Sequence, residues 1–232
     1  MFVVDSILHR ATGENKRYTT LLWSLIILFL LYPLMTRLGW SRFWSLFFVA
    51  ELLFAVYSVS EGTRSLKIAA SLVTPAVLGE LAFFFFETKE THWFAVLSVG
   101  AFLSYVVIVV YRQSVFAKCK MTADRVAGAV AVYLLVGLLW ALIYGIISAT
   151  DPGAFKGIES FDLGESGAQQ DFIYFSFVTL TTLGYGDMSP VAPAAKTLAW
   201  FEAVFGQLYL GVTIARLVSL EIAHKEHPPE ED

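Results

Sequence analysis

Charge is scarce in this sequence: only 16% of its 232 residues are charged. A soluble helical protein breaks its apolar runs with charges every few residues, and these runs go on for about twenty. There is one cysteine, Cys119, which excludes an internal disulfide framework; between Lys118 and Lys120 it is expected to face a reducing cytoplasm. His9, His92, His224 and His227 show no metal-ligand spacing. A basic stripe is missing and the net charge is only -4, so no nucleic-acid partner is expected. No nucleophile–base constellation, P-loop or metal motif occurs, so no enzyme is expected. The mixed, charged first seventeen residues do not read as a secretory signal peptide, and the tail HKEHPPEED leaves no room to expect a ligand-sensing domain.

What the chain has is apolar length. With 57% hydrophobic residues and a mean hydropathy of +0.65, it is too apolar for an ordinary soluble domain. Six long helices are expected, over Tyr18–Met35, Phe43–Ser60, Leu66–Phe86, His92–Tyr111, Thr122–Ile147 and Pro193–His224. Pro75 is expected to kink the third, which membrane helices tolerate. With the N-terminus inside, the cytoplasmic segments hold Arg10, Lys16, Arg17, Arg64, Lys67, Arg112, Lys118, Lys120, Arg125, Arg216 and Lys225. The outer ones hold Arg37, Arg42, Lys89, Lys156 and Lys196, so both termini of this multi-pass cell-membrane protein are expected in the cytoplasm.

One stretch breaks the pattern. A loop-like connection, ATDPGAFKGIESFDLGESGAQQD, is followed by FIYFSFVTLTT, apolar but too short to span. It is expected to dip into the membrane and return through TTLGYGD, Thr181 to Asp187. Non-helical backbone at that depth is tolerated only where it is buried in protein or lines a water-filled path. Glycine accepts positive φ, so alternating Gly184, Tyr185 and Gly186 lets an extended segment turn successive carbonyls to one side. Such a column is repulsive without a cation against it. Thr182 adds a hydroxyl oxygen, and the preceding helix aims its negative end inward. One chain supplies one such strand, so a ring of ligands requires an oligomer.

FVTLTTLGYGD resembles the signature of the tetrameric potassium channels, whose selectivity filters are rings of backbone carbonyls. The resemblance covers Thr122 to His224 and implies a homotetramer with Thr182, Leu183, Gly184, Tyr185 and Gly186 as a K+ filter. It also implies Thr181 as filter support, and Asp187 at the outer mouth, bonded behind the filter. Leu183 stands where many members have valine or isoleucine, and Tyr174 and Phe175 replace paired tryptophans. GQLYLGVTIARLV resembles a bacterial inner helix, with Gly206 at the gating hinge and Gly211 as a second candidate.

The fold class read from this is an all-α membrane protein with six transmembrane helices, one re-entrant pore helix and an extended filter. Its expected parts are a tail (1–17), a four-helix voltage-sensor-like domain (18–111), a linker (112–121), a pore domain (122–224) and an acidic tail (225–232). The fourth helix has no arginine or lysine before Arg112, so little voltage sensing is expected. Glu51 and Glu80 lie inside the peripheral domain, either as proton or divalent-cation sensors or as neutral, hydrogen-bonded structural groups. Arg112, Lys118, Lys120 and Arg125 either bind anionic lipid or simply satisfy the positive-inside rule. Asp151, Glu159, Asp162, Glu165 and Asp171 form either a cation-concentrating rim or an ordinary solvated loop. Glu202, one turn before Gly206, either braces the pore helix through a structural hydrogen bond or sits near the cavity. The function expected is passive K+ conduction, with no cofactor beyond the permeant ion. The alternatives are a weakly selective cation channel and a potassium-translocating subunit of a transporter.

Overall fold

A computed structural model describes residues 16–38, 44–59, 63–86, 88–116, 122–158 and 166–226. The helices are α1 (Arg17–Arg37), α2 (Trp44–Val59), α3 (Thr63–Phe86), α4 (Lys89–Tyr111), α5 (Ala123–Thr150), α6 (Ser166–Leu180) and α7 (Pro193–Glu226). A π turn, Arg112–Phe116, follows α4, and two short strands, β1 (Phe155–Lys156) and β2 (Ser189–Pro190), pair antiparallel. Among the described residues, five helical segments are long and apolar enough to cross a membrane: Arg17–Met35, Thr63–Phe86, Lys89–Phe116, Ala123–Thr150 and Pro193–Leu220. The described part of α2 has 16 residues, about 24 Å, short of the roughly 20 residues a span requires.

Local chemistry sets the helix starts. Thr88 caps α4 in a reciprocal capping box with Thr91. Thr122 caps α5 by accepting from the Arg125 amide, and Asp124 places a negative charge in the first turn. α3 remains one uninterrupted helix through Pro75, and α1 does the same through Pro33. Gly79 lets α3 and α4 approach closely, since a Cβ there would lie 2.8 Å from the Ala95 α-carbon.

The helices pack in a chain of neighbours: α1 on α2, α2 on α3, α3 on α4, with α1 and α4 also lying against α5. α6 is packed against α5 on one side and α7 on the other. Polar ties join α1, the π turn and α5 at one end. Asp124 Oδ1 accepts from the Thr19 amide and hydroxyl, both at 2.8 Å, and the Tyr18 hydroxyl donates to Gln113 Oε1 at 2.7 Å.

Of the four basic residues read near the inner surface, Arg125 is buried: it is 7% exposed, and its Nε donates to the Ser114 carbonyl at 3.0 Å, which favours the structural alternative for it over lipid binding. The α5 start packs against the π turn, so the guanidinium turns inward to a carbonyl there. Arg112 is exposed, while Lys118 and Lys120 lie outside the described residues. So do Glu159, Asp162 and Glu165 of the acidic connection.

Candidate functional site

α6 owes its seat to a glycine. A Cβ on Gly137 of α5 would lie 2.7 Å from the Phe177 ring, so a larger residue there would make that ring shift. One turn of contact away, Ser176 Oγ lies 2.8 Å from the Gly137 carbonyl oxygen. On another side, Phe29 of α1 meets Phe177 edge-on, with ring centroids 5.3 Å apart.

The end of α6 is closed by the segment that follows it. The Leu183 amide donates to the Val178 carbonyl at 2.9 Å, and the Thr182 amide to the Thr179 carbonyl at 2.9 Å. These bonds are the 6→1 and 5→2 pair of a Schellman cap, whose left-handed residue is usually glycine. Here it is Thr182, with φ +57°. The remaining terminal carbonyls are also met: Phe177 by Thr181, and Leu180 by the Tyr133 hydroxyl at 3.1 Å. With every terminal carbonyl held, the filter-like segment leaves the helix without slack.

From Thr182 onward the backbone alternates. Positive φ recurs at Thr182, Gly184 and Gly186, at +57°, +61° and +81°. Alternating left-handed residues with ordinary ones is what brings successive carbonyls toward one side of an extended chain. No carbonyl from Thr182 to Gly186 accepts a backbone hydrogen bond among the described residues. Thr181 to Asp187 are all exposed in the single chain, Tyr185 at 67%. A row of unpaired carbonyl dipoles with no fixed charge suits a weakly hydrated cation.

The outer end of this segment is anchored twice. The Tyr174 hydroxyl of α6 donates to Asp187 Oδ2 at 2.8 Å, which holds the Asp187 carboxyl below its ordinary range. The pair is therefore intact at neutral pH and is lost only as pH falls through that lowered value. The second anchor is the loop before α6. Pairing of β1 with β2 brings Gly157, at φ +82°, so close to the Asp187 carbonyl that a Cβ would strike its oxygen. The Val191 amide donates to the Ala154 carbonyl at 2.7 Å and continues this tie.

α7 supports the inner end. A Cβ on Gly206 would collide with the Leu180 carbonyl oxygen at the end of α6. Gln207 Nε2 reaches Thr182 Oγ1 at 3.4 Å, and the Tyr209 hydroxyl donates to the Ala129 carbonyl of α5 at 2.6 Å. A Cβ on Gly211 would meet nothing within 4 Å. Glu202, one turn before Gly206, is fully buried with Tyr144 of α5 and Ser176 of α6. Glu51 and Glu80 lie elsewhere. Their helices pack among α1–α4, where Glu51 is 5% exposed and 3.1 Å from Ser24 Oγ.

The family described as "Ion channel" matches residues 126–222, which include α6, the alternating segment and most of α7. Potassium channel K1 of Plasmodium berghei (strain Anka) is 28% identical over 132 residues, covering 56% of this chain and 6% of that protein. Two pore potassium channel c of Oryza sativa subsp. japonica is 31% identical over 94 residues, 40% of this chain and 21% of that one. Protein LctB of Geobacillus stearothermophilus is 30% identical over 109 residues, 47% of this chain and 81% of that protein. The chain belongs to the potassium-channel superfamily. As a superfamily member it is a multi-pass membrane protein, and its relatives are ion channels rather than enzymes. It spans well under a quarter of the length of the first two relatives named.

In this potassium-channel relative, Thr181 to Asp187 form one continuous segment between α6 and α7. Four participants were not legible: the left-handed Thr182, the Gly157 contact, the Gln207 reach and the Tyr133 bond. The residue spacing gives no sign of these, since Tyr133 and Leu180 are 47 positions apart. Gly157 alone carries a local signal, being a glycine directly after AFK in an otherwise acidic connection.

Proposed function

We propose that the chain is the subunit of a K+-selective channel, a homotetramer in which Thr182–Gly186 from four copies line one ion path. The observation that carries this is the alternation of left-handed backbone at Thr182, Gly184 and Gly186 beside carbonyls that accept no backbone hydrogen bond. The assembly is supported by large apolar side chains left uncovered on α7, among them Trp200, Val204, Leu208 and Ile214. In this reading α2 is a sixth span, α6 the re-entrant pore helix, 18–111 the peripheral domain and 122–224 the pore domain. Both termini are cytoplasmic, Thr181 supports the filter, and the flexing point of α7 is Gly211. Arg112, with Lys118 and Lys120, contacts anionic lipid.

Purified protein in a planar bilayer, with K+ on one side and Na+ on the other, should reverse close to the K+ equilibrium value and be blocked by barium. Reversal near zero would instead support a weakly selective cation pore. In the same recording, the conductance should vary little with voltage, because α4 carries no lysine or arginine between Lys89 at its start and Arg112 just past its end. Tyr174→Phe removes the donor to Asp187 and should speed the decline of a sustained K+ current several-fold. A current as steady as the wild type would remove Tyr174 from the support of the filter.

A further inference from the structure

The reading above leaves one buried group without a task. Glu202 sits where three helices meet, with no part of it exposed. Its Oε2 is 2.5 Å from the Tyr144 hydroxyl of α5, and its Oε1 is 2.6 Å from Ser176 Oγ of α6. The same Ser176 Oγ is 2.8 Å from the Gly137 carbonyl oxygen of α5. These three contacts join five oxygens and must be bridged by real protons.

A serine hydroxyl carries one proton. The Gly137 carbonyl can only accept, and an ionised carboxylate can only accept. Ser176 therefore cannot satisfy both neighbours if Glu202 is ionised: one short oxygen–oxygen contact would face lone pair to lone pair. Nor can Tyr144 relieve this, because its single proton is committed to Oε2. A proton on Oε1 resolves the count, with Glu202 donating to Ser176, Ser176 to Gly137, and Tyr144 to Glu202. The surroundings agree. The titratable groups that face Glu202 among the described residues are Tyr144 and, further along α5, Tyr133, neither of them a cation. From α6 it meets the Ser176 hydroxyl, which carries no charge. A buried carboxylate with no cation beside it is costly, whereas a carboxylic acid with a donor and an acceptor is not.

We propose that Glu202 is a positioning residue held as a neutral carboxylic acid, whose proton, passed through Ser176, fastens α7 to α6 and α5 behind the filter-like segment. The proposal rests on the channel reading for its consequence but not for its chemistry. Ser176 lies one turn before Leu180, and the cap on α6 fixes Thr182, so a bond at Ser176 sets the height at which the innermost oxygen is presented. Loss of the proton at alkaline pH removes the donor to Ser176 and leaves a charge among three packed helices. K+ current should then fall as pH rises and recover when pH is lowered.

The test uses the full-length protein in lipid and reads the carboxyl group directly. Infrared difference spectra between wild type and Glu202→Gln should contain a carboxylic-acid carbonyl stretch belonging to Glu202 at neutral pH. Glutamine keeps one acceptor and one donor, so its current should match the wild type at neutral pH and remain flat where the wild-type current declines. Ser176→Ala cuts the relay and should lower the K+ current about tenfold, the effect of an unmet buried group. A carboxylate band in place of the acid band overturns the proposal, whatever the currents do. So does a Glu202→Gln current reduced as far as that of Ser176→Ala. An acid band in a protein that passes no K+ would sustain the protonated clamp and sink the channel reading instead.

Discussion

Gly184→Ala is expected to abolish K+ selectivity, moving the bilayer reversal potential from the K+ value toward zero or removing current altogether. The reason is the backbone rather than crowding, since a Cβ at Gly184 would meet no atom within 4 Å in its own chain. Its φ of +61° lies in the left-handed region, where an L-residue is strained by roughly 1–2 kcal/mol. In a fourfold assembly the same strain is imposed four times on one ring of ligands. About 1 kcal/mol in each of four chains lowers the population of the correctly formed ring about a thousandfold. Tetramer size in detergent should be unchanged, because helix packing is untouched. A Gly184→Ala channel that still reverses at the K+ value would remove this segment from the ion path.

The second large effect is expected at Gly206. A side chain there meets backbone: the Leu180 carbonyl oxygen directly, and the Leu180 carbonyl carbon at 3.1 Å. Leu180 cannot retreat, because it is the last residue of α6 and its carbonyl is held by Tyr133. α7 must move outward, an overpacking cost of about 1–3 kcal/mol per chain. Gly206→Ala should therefore lower the thermal unfolding midpoint in detergent and abolish current. Gly211→Ala should do the reverse to stability, because its site is open and alanine favours a helix interior by about 1 kcal/mol. If α7 flexes at Gly211, the stabilised helix should open less often in single-channel records. An unaltered unfolding midpoint for Gly206→Ala would show that the contact with Leu180 is slack.

Gly206 also shows what a sequence conceals. Both glycines of α7 read as hinge candidates, because a glycine inside a helix looks the same whether it gives freedom or closeness. Only the position of the Leu180 carbonyl tells them apart. Helix extents, by contrast, were legible to within about three residues for α1, α3, α4, α5 and α7, whereas α6 starts at Ser166, six residues before the expected apolar stretch, because its first turns are polar. Apolar runs, Thr88 and Thr122 at helix starts, and proline at 193 are local signals. GYG was legible for the same reason, since it announces its φ values by composition. Thr182 was not: a β-branched residue at positive φ is against local preference, and the Schellman bonds that impose it come from folded geometry. For Arg125 charge alone left two alternatives open, lipid contact or the positive-inside rule, and only the Ser114 carbonyl beside its Nε separates it from its basic neighbours. The outer connection read as plain loop, and the pairing that ties it to the chain just past Asp187 is two residues long, too short to leave a periodic pattern.

Thr182 has a consequence for how this protein can drift in evolution. Its position answers to two unrelated demands, a left-handed backbone closing α6 and an oxygen presented beside the carbonyl row. Glycine would ease the first and forfeit the second. Valine, nearly the same shape, would keep the strain and lose the oxygen. Asparagine tolerates the backbone but brings amide protons to a place suited to cations. Serine and threonine alone meet both demands, so the site has almost no neutral neighbours in sequence space. Leu183, beside it, is not in the left-handed region and is 55% exposed, so it is free to wander among aliphatic side chains.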